Sequence, residues 1–291
     1  MSLTVLITII SLSLLALISS VILYFISQKF KIFEDPRIDE VQAILPAANC
    51  GGCGFAGCRN FAEALVKATT FDGLYCPVGG ATVMGSVAKL LGKEAPVVDP
   101  VVAVLLCNGT PEFRPRTSVY TGVSDCRVSH NLYIGETDCS YGCLGKGDCV
   151  RACAFDAMYM NTETELPVII DDKCVACGAC VKACPRNIIE LRKRAKKDRK
   201  IYVACSNCEK GGPARRACKV ACIACGKCVK VCQFDAITIV NNLAYIDAKK
   251  CTFCRKCPTE CPTSSIVEIN FPPRKPAVEV QAEVINNNPV V

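Results

Sequence analysis

The sequence predicts an α+β fold, with one apolar helix ahead of small cysteine-rich units built from short helices and hairpins. Three observations carry that expectation. Residues 3–26 are an uncharged apolar run, cysteine supplies 25 of 291 residues, and one four-cysteine spacing recurs along the second half of the chain. Such cysteine density suits small disulfide scaffolds; in a chain this long it points to many metal sites. The 25 cysteines divide into six sets of four with one left over. No Trp and one His leave little scope for histidine-dependent catalysis. There is no Gly-rich nucleotide loop and no nucleophile–base constellation.

Residues 1–28 read as a transmembrane anchor. The 24 residues LTVLITIISLSLLALISSVILYFI form a helix long enough, at 1.5 Å per residue, for a bilayer core of about 30 Å. A cleaved signal peptide fits badly, because nothing basic precedes the run and no small-residue cleavage site follows. Lys29 and Lys31 follow at once, so the positive-inside rule puts the remainder on the cytoplasmic side of a single-pass inner-membrane protein. Disulfides are rare there, which again makes the cysteines metal ligands. The formal charge of +7 describes the metal-free chain only, since ligating cysteines are thiolates. Nucleic acid is therefore not an expected partner.

Residues 29–95 form a candidate 4Fe-4S domain. CGGCGFAGC gives Cys50, Cys53 and Cys58, and LYCPVGG gives Cys76. The glycines let the backbone wrap a cluster closely, and residues 60–70 read as a short helix between the third and fourth ligands. Zinc is the alternative, although its ligands more often fall into two close pairs. Gly80-Ala81-Thr82 lacks the hydroxyl residue of a flavin-attachment motif and reads as a packed turn.

The strongest signal lies downstream. Cys251, Cys254, Cys257 and Cys261-Pro262 match the bacterial ferredoxin spacing, as do Cys174, Cys177, Cys180 and Cys184-Pro185. Cys222, Cys225, Cys228 and Cys232 share it without the proline. In two-cluster ferredoxins the fourth cysteine of each run ligates the other cluster. That rule assigns Cys222, Cys225, Cys228 and Cys261 to one cluster and Cys251, Cys254, Cys257 and Cys232 to its partner. AITIV, Asn241-Asn242 and LAYI between these runs read as a β-hairpin.

The chain also repeats itself. Cys139, Cys143, Cys149 and Cys153 recur 79 residues later as Cys218, Cys222, Cys228 and Cys232, and the run from Cys174 to Cys184 recurs at an offset of 77. Two tandem ferredoxin modules are expected, at 133–191 and 212–270, joined by a basic linker at 192–211 and preceded by a connecting segment at 96–132. Lys146 stands where the second copy has Cys225. With Cys139 as the substitute, one cluster takes Cys139, Cys143, Cys149 and Cys184, and the other Cys174, Cys177, Cys180 and Cys153. Cys107, Cys126, Cys205, Cys208 and Cys218 remain. A sixth cluster on Cys107, Cys126, Cys205 and Cys218 competes with structural thiols and with a different exchange of ligands. LRKRAKKDRK (residues 191–200) is either a docking patch or a solvated connection, His130 is structural, and residues 271–291 are expected to be a disordered tail.

An apolar helix, EDPRIDEVQAILPAANCGGCGFAGC, CSYGCLGKGDCVRAC and tandem ferredoxin modules, in that order, resemble the B-subunit family of the Rnf complex, the ion-translocating ferredoxin:NAD oxidoreductase. The resemblance implies an electron-entry subunit that accepts electrons from soluble ferredoxin. It implies partner subunits A, C, D, E and G, which bind NAD and conduct ions. A polyferredoxin subunit of a membrane hydrogenase or formate enzyme is the alternative.

Overall fold

The computed structural model describes residues 3–29 and 35–274. Helix α1 (Leu3–Lys29) is apolar on every side, and none of its membrane-length window is buried against the rest of the chain. By length and composition it can cross a membrane.

The glycine-rich domain holds three amphipathic helices, α2 (Arg37–Ile44), α3 (Cys58–Lys67) and α4 (Gly80–Leu91). Phe61 and Leu65 on one face of α3 meet Met84 and Val87 of α4 and Val41 of α2 in a closed core. The Lys93 ammonium donates to the carbonyls of Leu65 (2.7 Å) and Ala68, satisfying acceptors that α3 leaves open at its C-terminus. The helix begins at Cys58, two residues earlier than its pattern suggests, because the Asn49 side chain accepts from the Cys58 N–H at 2.8 Å.

Beyond it run β1 (Val101–Leu105), α5 (Cys126–Leu132), α6 (Asp148–Arg151), β2 (Met158–Met160), β3 (Pro167–Ile169), α7 (Ala179–Ala183) and β4 (Ile189–Lys193). Then come β5 (Lys200–Val203), α8 (Gly211–Ala217), α9 (Lys227–Val231), β6 (Ile237–Val240), β7 (Leu243–Ile246), α10 (Lys256–Glu260) and β8 (Ile266–Ile269). Among the described residues all four sheets are antiparallel pairs: β1 with β4, β2 with β3, β5 with β8, and β6 with β7. The β6–β7 hairpin turns on Asn241 and Asn242, both at positive φ (50° and 60°), as a two-residue turn between twisted strands requires.

Two expected connections are structural. The segment 96–132 contributes β1, which closes the first module on β4, and the segment 192–211 contributes β5, which closes the second on β8. Each module therefore starts with a strand that precedes its cysteine runs. The basic stretch is largely consumed by the fold. Arg192 is buried, donates to the Ile246 carbonyl and lies over the Tyr202 and Tyr245 rings. Arg194 pairs with Asp198 and Asp172, and Lys200 with Asp171. Lys196 and Lys197 stay exposed. Of the expected tail, residues 271–274 are described and 275–291 lie outside the described residues.

Candidate metal centres

The fold brings four groups of thiols together. In the second module, one cavity is walled by Cys222, Cys225, Cys228 and Cys261, and another by Cys232, Cys251, Cys254 and Cys257. The fourth cysteine of each run faces the other run's cavity, as cross-ligation needs. In the first module, Cys174, Cys177 and Cys153 all lie close to Cys180. In the glycine-rich domain, Cys76 is buried within reach of Cys50 and Cys53, and it accepts from the Gly79 N–H at 3.3 Å. Cys58 packs against the same core.

The fifth group differs in one member. A cavity in the first module is walled by Cys126, Cys143, Cys149 and Cys184. Cys126 heads α5, where its N–H donates to Asp148 at 3.0 Å. It thus delivers a thiol to the place where Lys146 interrupts the run. The Lys146 ammonium turns away to Glu136, at 2.9 Å. Cys139, assigned here by spacing, stands instead beside Asn207 and Cys218. The structure thus brings Cys126, and not Cys139, to the cavity shared by Cys143, Cys149 and Cys184.

These sites suit a cationic iron–sulfur group. Burial, reinforced by neighbouring thiols, pushes Cys180 and Cys228 up to about 11 and Cys149 and Cys257 up to about 12. Without metal they are neutral thiols near pH 7, and bound cations must supply the charge that makes them thiolates. Cys261 goes the other way. Burial raises it, but hydrogen bonds from Ser265 (3.3 Å) and Thr263 outweigh that and lower it. Among the described residues no three His, Cys, Asp or Glu side chains are grouped to hold a single metal ion. Three of the four-sulfur sets wall cavities instead.

The domains meet at a bare backbone. A Cβ at Gly52 would lie 3.0 Å from both Cα and carbonyl oxygen of Cys177. Cys50 and Cys177 are consequently close to one another. Sequence reasoning missed this contact, and it missed Arg114 and Arg186, whose guanidinium groups lie among the first module's thiols.

Comparison with known proteins agrees with the geometry. Family models described as "Putative Fe-S cluster", "4Fe-4S binding domain" and "4Fe-4S dicluster domain" match residues 45–70, 167–190 and 221–265. The B subunit of the Na(+)-translocating ferredoxin:NAD(+) oxidoreductase complex of Acetobacterium woodii is 45% identical over 81% of this chain and 70% of its own length. The proton-translocating counterpart of Clostridium ljungdahlii is 40% identical over 91% of this chain and 93% of its own. The chain belongs to the B-subunit family of the Rnf complex. The B subunit of the ion-translocating oxidoreductase complex of Methanosarcina acetivorans, at 39% identity over 84% of this chain and 91% of its own, is a third relative. As a member of that family with 4Fe-4S domains, the chain is an iron–sulfur electron-transfer subunit of the Rnf complex. It works beside other subunits of that complex.

Proposed function

We propose that this Rnf subunit accepts electrons from reduced soluble ferredoxin and relays them towards partner subunits that reduce NAD and translocate ions. The five thiol sets described above hold 4Fe-4S clusters, which supply one-electron couples with no proton or bond exchanged. The observation that carries this reading is the pair of cross-walled cavities in the second module. Cys225 and Cys254, one from each cavity, are the two exposed cysteines among those described, which suits electron entry from a docked protein. Helix α1 anchors the chain as a single span in the inner membrane, with the thiols on the cytoplasmic side, and partner subunits A, C, D, E and G complete the complex.

The test uses the full chain, reconstituted anaerobically in detergent. Mixing with reduced ferredoxin should bleach its visible absorbance within the enzyme's turnover time. A chain lacking residues 1–28 loses no thiol, so it should bleach equally well yet fail to support ferredoxin-dependent NAD reduction in membranes, because tethering sets the local concentration. Bound zinc in place of iron, or no bleaching by ferredoxin, would overturn the reading.

A further inference from the structure

With Cys126 placed in the first module, Cys107, Cys139, Cys205, Cys208 and Cys218 remain, and the fold gathers four of them as two related pairs. Cys107 follows β1 by two residues and Cys205 follows β5 by two. The two strand ends are equivalent. Leu105 faces Ile189 and Val203 faces Ile266, and the next residues, Leu106 and Ala204, donate to Ile188 (2.7 Å) and Ser265 (2.8 Å). Those partners are separated by the same 77 residues that relate the two copies of the cysteine run. Cys139 precedes Cys143 by four residues, as Cys218 precedes Cys222. Each module thus presents the same two positions.

These positions meet at the boundary between modules. Cys218 lies within like-charge reach of Cys107 and Cys139, and Cys205 of Cys107. Asn207 spans two of the sulfurs: its backbone N–H points to Cys205 at 3.4 Å and its side-chain amide to Cys139 at 3.8 Å. Cys107, Cys139 and Cys218 are all buried. Cys208 instead donates to its neighbour Ser206.

A buried cation points at the same place. Arg114 is only 8% exposed. Its Nη2 donates to the Cys143 carbonyl at 2.8 Å, while Nε and Nη1 have no partner. Two glycines make room for it. A Cβ at Gly109 would lie 3.2 Å from Arg114 Nε and 3.4 Å from the Cys218 sulfur. A Cβ at Gly142 would strike Arg114 Nη1 and lie 3.4 Å from the Cys139 sulfur. The guanidinium therefore sits beside both sulfurs with two donors unspent. A buried, unpaired charge is costly, and an anionic thiolate-bound group would both neutralise it and accept its hydrogen bonds.

We propose that Cys107, Cys139, Cys205 and Cys218 bind a sixth 4Fe-4S cluster at the junction of the two ferredoxin modules, with Arg114 as its buried counter-cation. This rests on the iron–sulfur reading of the other five sets. Arg114 is a positioning residue: its positive charge favours the reduced, more negative state of the junction group. Cys126 belongs to the neighbouring set and not to this one.

Iron and acid-labile sulfide counts on the anaerobically reconstituted full chain test the ligand set, at four irons per cluster. The wild type should hold about 24 iron. The Cys139→Ala/Cys218→Ala pair removes two ligands of one site and should leave about 20, whereas Cys126→Ala/Cys218→Ala strikes two sites and should leave about 16. Cys208→Ala should leave the count unchanged. The reverse order of the two double variants, or a loss of four on Cys208→Ala, overturns the ligand set. A wild-type count near 20, with no loss in Cys139→Ala/Cys218→Ala, overturns the sixth site while leaving the other five. Arg114 is tested by redox titration followed by electron paramagnetic resonance. Arg114→Leu should shift one couple at least tenfold towards oxidation, about 59 mV for one electron, with Arg114→Lys restoring most of it. An unchanged couple, or the same shift in both variants, refutes the counter-cation role.

Discussion

Gly52 is required for the space it leaves, and replacing it by alanine should loosen the seam between the glycine-rich domain and the first module. The new methyl would sit 2.9 Å from Pro77 Cγ and 3.0 Å from Cα and carbonyl oxygen of Cys177. Carbon contacts are at their optimum near 3.5–4.0 Å, so the two segments must separate by roughly 0.5–1 Å. Two of the three obstacles are backbone atoms, which no rotamer change can move aside. Overpacking of this kind costs about 1–3 kcal/mol, equivalent to a 5- to 150-fold rise in the open population. Anaerobic hydrogen exchange by mass spectrometry should show residues 50–58 and 174–180 exchanging faster by a factor in that range, since local opening sets the rate. Gly54→Ala is the control. Its φ of +88° strains any side chain, but nothing lies within 4 Å of the new methyl, so residues 174–180 should exchange as in the wild type. Equal effects of the two substitutions on 174–180, or no effect of Gly52→Ala, would refute the close-approach argument.

Other outcomes follow from the same structure. Cys261→Ala should destroy the cluster signal that belongs with Cys222, Cys225 and Cys228 and spare the Cys251 set, because Cys261 walls the former cavity; Mössbauer spectra that show the opposite loss would exclude cross-ligation. Arg192→Leu orphans the Ile246 carbonyl and removes a cation from between two tyrosines. These losses of about 1–3 kcal/mol and about 0.5–2 kcal/mol should lower the denaturant midpoint for bleaching, and an unchanged midpoint would contradict the assigned role. With Arg192, Arg194 and Lys200 engaged internally, a docking role for the basic stretch falls to Lys196 and Lys197. Replacing both by Gln should slow reduction by ferredoxin several-fold at low salt and make no difference at high salt, where exposed charges are screened over about 8–10 Å or less; equal rates at low salt would exclude the patch.

Much of the site was legible because cluster ligands obey short, local spacings. The runs from Cys174, Cys222 and Cys251, the Asn241-Asn242 turn and the lost ligand at Lys146 need only neighbours in sequence to be recognised. The strands β1 and β5 were not legible. Their partners begin at Ile189 and Ile266, many residues away, and no local periodicity announces a pairing at that range. In β5, KIYV was further obscured by the basic residues before it. The position of Cys126 beside Cys143, Cys149 and Cys184 was not legible, since no short spacing links it to that run. Cys218 stands four residues ahead of Cys222, just as Cys139 stands ahead of Cys143, yet the second module needs no fourth ligand from there. Lys146 leaves the first module one cysteine short, so symmetry does not decide between Cys139 and Cys126. Arg114 carries no sequence signature, since only the fold reveals that its donors are stranded among sulfurs.

The pairing of β1 with β4 has a consequence for how the protein is made. The strand at Val101–Leu105 meets its mate only at Ile189–Lys193, so the first module cannot close until the ribosome has passed residue 193. At about 5–20 residues per second, that leaves the nascent chain on the order of 5–20 s with the module's thiols unprotected. Closure over so long a loop is also intrinsically slow. The second module repeats the delay, because β5 waits for β8 at Ile266–Ile269. The junction thiols, drawn from positions 107, 139, 205 and 218, cannot be assembled until both closures are complete. The glycine-rich domain, whose helices end at Leu91, waits for neither closure.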